Sequence, residues 1–107
     1  MDDIYAFEAL GDPTRRKLFE QLRFGPCSVN ELVNKMNVSQ PAVSQHLRAL
    51  KEAHLVQVRK HRQQRIYSLD PAGLVELRAY VESFWNAILE AYQDAAEKSA
   101  EEEIANE

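Results

Sequence analysis

The chain has 107 residues, one cysteine and a formal net charge of −4, and each of these numbers limits its function. The length fits one domain, so we expect residues 1–97 to form it and residues 98–107 to be an acidic, frayed tail. A single cysteine excludes an internal disulfide, and the acidic first residues lack a signal-peptide pattern. No stretch approaches the roughly 18 consecutive apolar residues of a membrane span. We therefore expect a cytoplasmic protein without a membrane partner.

The charges are unevenly distributed, and this changes what the acidic total implies. Residues 39–65 contain six Lys or Arg residues and one acid, so this stretch carries +5. Residues 90–107 contain seven acids and one lysine, so this stretch carries −6. Because nucleic-acid binding depends on the local patch, the basic middle of the chain is compatible with a nucleic-acid partner.

Two helices are predicted before residue 27. Apolar residues at positions 4, 7 and 10 have helical spacing and predict a short helix over residues 3–10. Asp12 and Pro13 open a second helix as its N-cap and its first helical residue. Gly25 and Pro26 end it, because glycine adopts the left-handed cap conformation and proline cannot continue a helix.

The segment from residue 28 to residue 55 has the pattern of a helix-turn-helix. Residues 28–31, Ser-Val-Asn-Glu, form a capping box that opens a third helix, which ends near Asn37. A tight turn follows, in which Val38 is the apolar residue that anchors the turn in the core, and Ser39 caps a fourth helix. In such a motif the second helix enters the major groove of DNA.

After the fourth helix the pattern changes from helical to alternating. Residues 56–59 and 65–69 are predicted to be the two strands of a hairpin. Residues 61–64 join them without glycine or asparagine, so the turn geometry is not predictable. Asp70 and Pro71 then open a long fifth helix. The predicted fold is mainly α with a small β-hairpin (α+β), a winged helix-turn-helix in the order α-α-α-α-β-β-α.

The fourth helix has an outward polar face that is suited to reading DNA. Opposite its apolar side, Gln45 can pair with adenine, and Arg48 can pair with guanine or contact a phosphate. Free N–H groups at Gln40 and Ala42 suit a phosphate. The alternative is a face that meets only solvent, but the turn and the basic hairpin favour DNA. The DNA contacts predicted in this helix and its cap are Ser39, Gln40, Pro41, Ser44, Gln45, His46 and Arg48.

Two further basic clusters are candidate phosphate contacts. The hairpin cluster can reach phosphates or a minor groove, although charge on an edge strand can also serve only to prevent aggregation. The other cluster lies in the first turn of the second helix, where cations oppose the helix dipole, so a phosphate would compensate. An Arg16–Glu20 pair is the structural alternative there. The predicted contacts are Thr14, Arg15, Arg16, Arg59, Lys60, Arg62 and Arg65.

An apolar stripe along the fifth helix predicts a homodimer. Large apolar residues recur there at three- and four-residue steps, over a greater length than a thin monomer can cover. An aromatic-lined ligand pocket between subunits is the alternative, and packing of a dimer core is favoured. The predicted interface consists of Ile4, Phe7, Leu77, Val81, Phe84, Trp85, Ile88 and Tyr92.

Other chemistries have weaker support in the sequence. His46, His54 and His61 lie on diverging positions, whereas zinc requires about four convergent ligands, so we expect no metal and no cofactor. A redox switch at Cys27 lacks a resolving cysteine in the chain. No glycine-framed nucleophile or phosphate loop is present, so we expect no enzyme. A repressor that responds to a ligand or to oxidation, and a winged-helix module that binds RNA or protein, remain as alternatives.

Three segments resemble the ArsR family of bacterial winged-helix repressors. Residues 9–16 are similar to that family's opening, residues 38–47 to its recognition helix and residues 64–69 to its wing. The similarity covers roughly residues 4–92. It implies a homodimer built on the first and last helices that binds an inverted-repeat operator in double-stranded DNA near its own promoter.

The metal sites of that family have no counterpart here. One family site uses a Cys-x-Cys pair on the third helix, and residues 28–32 contain no cysteine. Another uses Asp and His pairs on the last helix, and the chain has no histidine after Pro71. The chain thus most resembles the metal-independent branch that includes SdpR-type autorepressors. The sequence does not identify an operator, a target gene or an inducer.

Overall fold

The computed structural model describes the backbone of residues 3–105 and the side chains of residues 5–105. Its elements are α1 (Asp3–Gly11), α2 (Pro13–Gln21), β1 (Cys27–Ser28), α3 (Val29–Met36), α4 (Gln40–Glu52), β2 (Val56–His61), β3 (Gln64–Leu69) and α5 (Pro71–Ala105). A single 3-10 turn, Leu22–Phe24, follows α2. This mainly helical arrangement with a small antiparallel sheet confirms the predicted fold class.

The helices begin where the capping signals predict. The Asp12 carboxylate accepts a hydrogen bond from the backbone N–H of Arg15 at 2.9 Å, and Pro13 is the first residue of α2. Both halves of the capping box between Ser28 and Glu31 are formed, each at 3.2 Å. Asn37 ends α3 in the left-handed conformation. These caps satisfy backbone groups that a helix end leaves without partners.

The end of α2 and the sheet differ from the prediction. Gly25 has φ 133° and ψ 168°, so the predicted left-handed cap is wrong. This extended conformation with positive φ is open essentially only to glycine, and it leads the chain directly into β1. β1 is a strand that the sequence did not predict, since two residues show no alternation. It pairs with β3, Cys27 opposite Tyr67, in the sheet order β1-β3-β2.

The wing is a hairpin with a two-residue loop. β2 and β3 pair from Val56 opposite Leu69 to His61 opposite Gln64, so only residues 62 and 63 form the turn. Arg62 has φ 59°, an uncommon conformation for a residue with a side chain. The hairpin therefore extends two residues further on β2, and one on β3, than the sequence predicted.

One face of α4 is buried in the core. Large buried side chains come from α2, α3, α4 and the start of the wing, and they pack into one cluster. The fully buried members are Leu18, Leu32, Val43, Leu47, Leu50, Leu55 and Val56. Since three of them lie on α4, the opposite face of that helix must point away from the core.

The chain divides into two compact units, one through Leu77 and one from Arg78. In the first, the Gly73 N–H donates to the His54 carbonyl at 2.9 Å, and a Cβ at position 73 would overlap that carbonyl. The second is the remainder of α5, a helix that runs on through the acidic tail to Ala105. Fraying of residues 98–107 in solution stays a prediction, as does a domain limit at residue 97. Within the described range, no helix is both long enough and apolar enough to cross a membrane.

Candidate nucleic-acid interface

The outward face of α4 carries the side chains predicted to read DNA. Pro41, Ser44, Gln45 and Arg48 are all exposed, and together they line one open depression of about 330 Å³. They lie opposite the apolar side of the helix, which is fully buried. Gln45 and Arg48 are three residues apart on the helix, so their side chains lie on the same side. This face can present bidentate hydrogen-bonding groups to base edges.

The start of α4 offers fewer free N–H groups than the sequence suggested. The Ser39 hydroxyl accepts a hydrogen bond from the Ala42 N–H at 3.3 Å, so the predicted free N–H at Ala42 is wrong. Pro41 has no N–H. Gln40 therefore retains an N–H that the helix geometry leaves available to a phosphate.

His46 lies toward the start of α2 instead of on the outward face. Its side chain is partly buried, and its Nδ1 atom is shut off from solvent without a hydrogen-bond partner among the described residues. The pKa of the Asp12 carboxyl is lowered chiefly by the hydrogen bond from the Arg15 N–H, and nearby His46 lowers it further. Contact between His46 and DNA stays a prediction.

The wing presents its cations to solvent. Arg59, Lys60, Arg62 and Arg65 are all exposed. Within residues 5–105 no carboxylate forms an ion pair with any of them. The ion pair found in that range joins Arg78 to Glu82. Four cations without acidic partners on one hairpin form a local field that attracts phosphate.

The basic cluster on α2 has an intramolecular role. The Arg15 Nη1 atom donates to the Ala9 carbonyl at 3.4 Å, and the Arg16 Nη1 atom donates to the Leu10 carbonyl at 3.0 Å. Both carbonyls belong to the last turn of α1, whose dipole favours cations. The α1 carbonyls thus supply partners for these cations where the sequence analysis expected a phosphate, and no Arg16–Glu20 pair occurs among the described residues. Phosphate contacts by Thr14, Arg15 and Arg16 stay predictions.

A second depression, of about 300 Å³, lies between the wing and the starts of α3 and α4. Its lining residues are Ser28, Val29, Asn30, Gln40, Ser44, Gln63, Gln64 and Arg65. We call it the wing groove. Asn30, Gln63 and Gln64 were not among the predicted contacts. Pairing of β1 with β3 brings them together, and the local sequence around each residue does not indicate that pairing.

The candidate metal ligands and the single cysteine were also located in the described part of the chain. It contains no group of three or more His, Cys, Asp or Glu residues placed to hold a metal ion. Cys27 is buried, with Sγ 3.6 Å from the Lys35 Nζ atom and 3.6 Å from the Gly25 carbonyl oxygen.

The predicted dimer residues fall into different environments. Phe7, Val81, Phe84, Trp85, Ile88 and Tyr92 are exposed by 43–73%. Leu77 is partly buried and packs against the core of the first unit. The side chain of Ile4 lies outside the described residues. In the second unit the ring of Phe84 meets that of Tyr80 edge-on at 5.1 Å.

Comparison with known proteins agrees with this geometry. Residues 12–58 match the family model described as bacterial regulatory protein, arsR family. The HTH-type transcriptional regulator Rv2034 of Mycobacterium tuberculosis is 48% identical over 81% of this chain and 81% of its own length. The transcriptional repressor SdpR of Bacillus subtilis is 32% identical over 75% of this chain and 89% of its own length.

A solved structure described as a possible transcriptional regulator for arsenical resistance has the same fold. It is 46% identical, superimposes with a TM-score of 0.68, and the match covers 79% of this chain and 85% of that one. These relatives are transcription regulators and not enzymes, as the sequence predicted. The chain belongs to the ArsR family of bacterial transcriptional regulators.

Proposed function

We propose that the chain is a homodimeric repressor that binds an inverted-repeat operator in double-stranded DNA and requires no metal to do so. The observation that carries the proposal is the exposed polar face of α4 together with a wing whose four cations lack acidic partners within residues 5–105. The relative SdpR is named a repressor, which supports repression as the outcome of binding. The predicted cytoplasmic location is part of this proposal.

The α4 face and the wing divide the work of binding. Gln45 and Arg48 present directional donors and acceptors, so they are the base readers in the major groove. Arg59, Arg62 and Arg65 place positively charged guanidinium groups on a narrow hairpin, so they hold phosphates. Phosphate contacts release counterions, and the affinity of the whole complex should therefore fall steeply with salt.

The dimer is supported by the apolar face of α5 beyond Arg78. Phe84 and Trp85 are 56% and 57% exposed, and Ile88 is 44% exposed. A contiguous apolar stripe of this kind marks an interaction surface, and a second copy offers a matching stripe. A twofold dimer places two α4 helices on two half-sites, which is the reason for an inverted repeat.

Independence from metal is supported by the absence of ligands. α3 contains no cysteine, and α5 contains no histidine. Zinc, cadmium or arsenite at micromolar concentration should therefore leave the protein–operator complex intact. Specific release, with ligands mapped to α3 or α5, would contradict this part of the proposal.

Footprinting on duplex DNA, beginning with the chain's own promoter, tests the proposal. We expect one protected region with twofold symmetry. Arg48→Ala or Gln45→Ala should then weaken binding to that site by about 1–3 kcal/mol and relax preference at one base position. Arg62→Ala should weaken all sequences alike and lower the salt slope by about 1 for each half-site.

Two results would contradict the proposal at different levels. Absence of any protected duplex would point to an RNA- or protein-binding module instead. A change in base preference for Arg62→Ala, with preference intact in both α4 variants, would reverse the division of work. The wing would then select sequence through minor-groove shape.

A further inference from the structure

We infer that the wing groove holds one backbone phosphate of the bound DNA through neutral amide side chains, a contact that adds affinity without adding salt dependence. This inference rests on the proposed function, since the phosphate belongs to the operator duplex. It assigns Asn30, Gln63 and Gln64 to the DNA interface, in addition to the cations of the wing.

The lining of the wing groove favours an anion with several hydrogen-bond acceptors. Seven of its eight lining residues are polar, four of them carry amides and none is acidic. Arg65 is the single charged member. Amide N–H₂ groups and hydroxyls of Asn, Gln and Ser are common donors to DNA phosphates. A groove with one cation, many neutral donors and no carboxylate is therefore suited to a singly charged phosphodiester.

The fold fixes these donors from three directions. Pairing of Ser28 with Ile66 sets the start of α3, and with it Asn30, beside Arg65. The two-residue turn and the pairing of His61 with Gln64 place Gln63 and Gln64 at the end of the hairpin.

The remaining polar side chains of the wing groove come from α4. Gln40 and Ser44 are four residues apart on α4 and therefore share the side that faces the groove. The groove thus joins the wing to the recognition helix, so a phosphate bound there lies next to the bases that α4 reads.

The amides in the groove are available to a ligand. Asn30, Gln63 and Gln64 are exposed, and no hydrogen bond from their side chains is formed within the described residues. The Ser28 hydroxyl, by contrast, already accepts from the Glu31 N–H in the capping box. Removal of an exposed amide should therefore leave the fold intact and change binding alone.

The test uses a duplex that carries the footprinted site, in phosphate-free chloride buffer, so that a free phosphate ion cannot supply the effect. Asn30→Ala and Gln63→Ala should each weaken binding about tenfold, the value of a hydrogen bond to a charged group. Neither variant removes a charge, so the slope of log affinity against log salt should stay at the wild-type value. Arg65→Ala should lower that slope by about 1 for each half-site.

Neutral phosphate replacements locate the contact. Methylphosphonate substitutions are scanned along the duplex. At one position per half-site, the substitution should weaken binding by the wild type but should not further weaken binding by Asn30→Ala. The matched control is Asn34→Ala, which removes an exposed asparagine from the same helix but outside the groove, and it should bind as wild type does.

The failures of the two proposals are distinguishable. If wild type protects no duplex, the proposed function itself fails. If wild type protects its operator but Asn30→Ala and Gln63→Ala bind like Asn34→Ala, the wing groove holds no phosphate and only this inference is overturned. A reduced salt slope for Asn30→Ala would also overturn it, because a neutral contact cannot produce that change.

Discussion

Arg62 combines a strained backbone with a position at the tip of the wing. Arg62 is the first residue of the two-residue turn and has a φ of 59°, whereas the second residue, Gln63, has no positive φ. Among the favoured hairpin turns this pattern fits type II′, in which glycine usually takes the first position. For a residue with a Cβ, a sparsely populated conformation of this kind costs about 1–3 kcal/mol. An arginine at such a position is consistent with the proposed phosphate contact by its side chain.

Replacing Arg62 with glycine should therefore separate stability from binding. Arg62→Gly is expected to raise the free energy of unfolding by up to about 1 kcal/mol, since the strain outweighs the entropy cost of glycine. Its affinity for duplex DNA should fall for all sequences alike. Urea unfolding and binding titrations measure the two effects. The matched control, Arg59→Gly, removes a cation from a regular strand and should lose both stability and affinity; equal destabilisation of the two variants would refute the strain.

The carboxyl groups of two helix caps make the stability of the fold depend on pH under acid conditions. The N–H of Arg15 lowers the pKa of the Asp12 carboxyl, and the backbone N–H of Ser28 lowers that of Glu31. A carboxyl whose pKa is lower in the folded state stabilises the fold fully above its unfolded pKa. That stabilisation is lost as the pH falls through the folded value.

Asp12→Asn should flatten part of this acid dependence. Asparagine remains a good N-cap but does not titrate near pH 4, so the variant should lose less stability than wild type as the pH falls below about 4. Urea midpoints measured between neutral pH and about pH 3 test this. As a control, Asp94→Asn changes an exposed carboxylate away from any helix start and should follow wild type; identical curves for Asp12→Asn and wild type would contradict the assignment.

The elements were predictable wherever their determinants are local. The caps at Asp12, Ser28 and Ser39 each join residues three apart, so sequence spacing is enough to place the starts of these helices. β1 could not be predicted, because its strand character comes from Cys27 pairing with Tyr67, 40 positions later.

The same difference applies to the candidate site. The reading face of α4 follows from helical period alone. The wing groove depends on a strand pair, and the role of Arg16 depends on the carbonyl of Leu10, which belongs to another helix.

At the scale of the whole molecule, the portion of α5 from Arg78 onward presents an apolar surface that the proposed dimer would bury. It is a helix whose large apolar side chains are exposed, and an isolated helix gains little stability from propensity alone. This segment also carries the Arg78–Glu82 pair at 2.8 Å, both members exposed, and such a surface pair contributes little. Burial of the apolar stripe would stabilise this segment, and the proposed dimer supplies that burial.

Trp85→Asp tests the dimer directly. A charge in the middle of the stripe would have to be buried without a partner, which is costly enough to disrupt an interface of this kind. Sedimentation should show monomers for Trp85→Asp and dimers for wild type, and operator affinity should fall because two linked half-sites are lost. Asn86→Asp adds the same charge next to it, on the polar side of α5, and should remain dimeric. If Trp85→Asp sediments as a dimer, the interface lies elsewhere; if both variants are monomeric, net charge on α5, and not the apolar stripe, controls association.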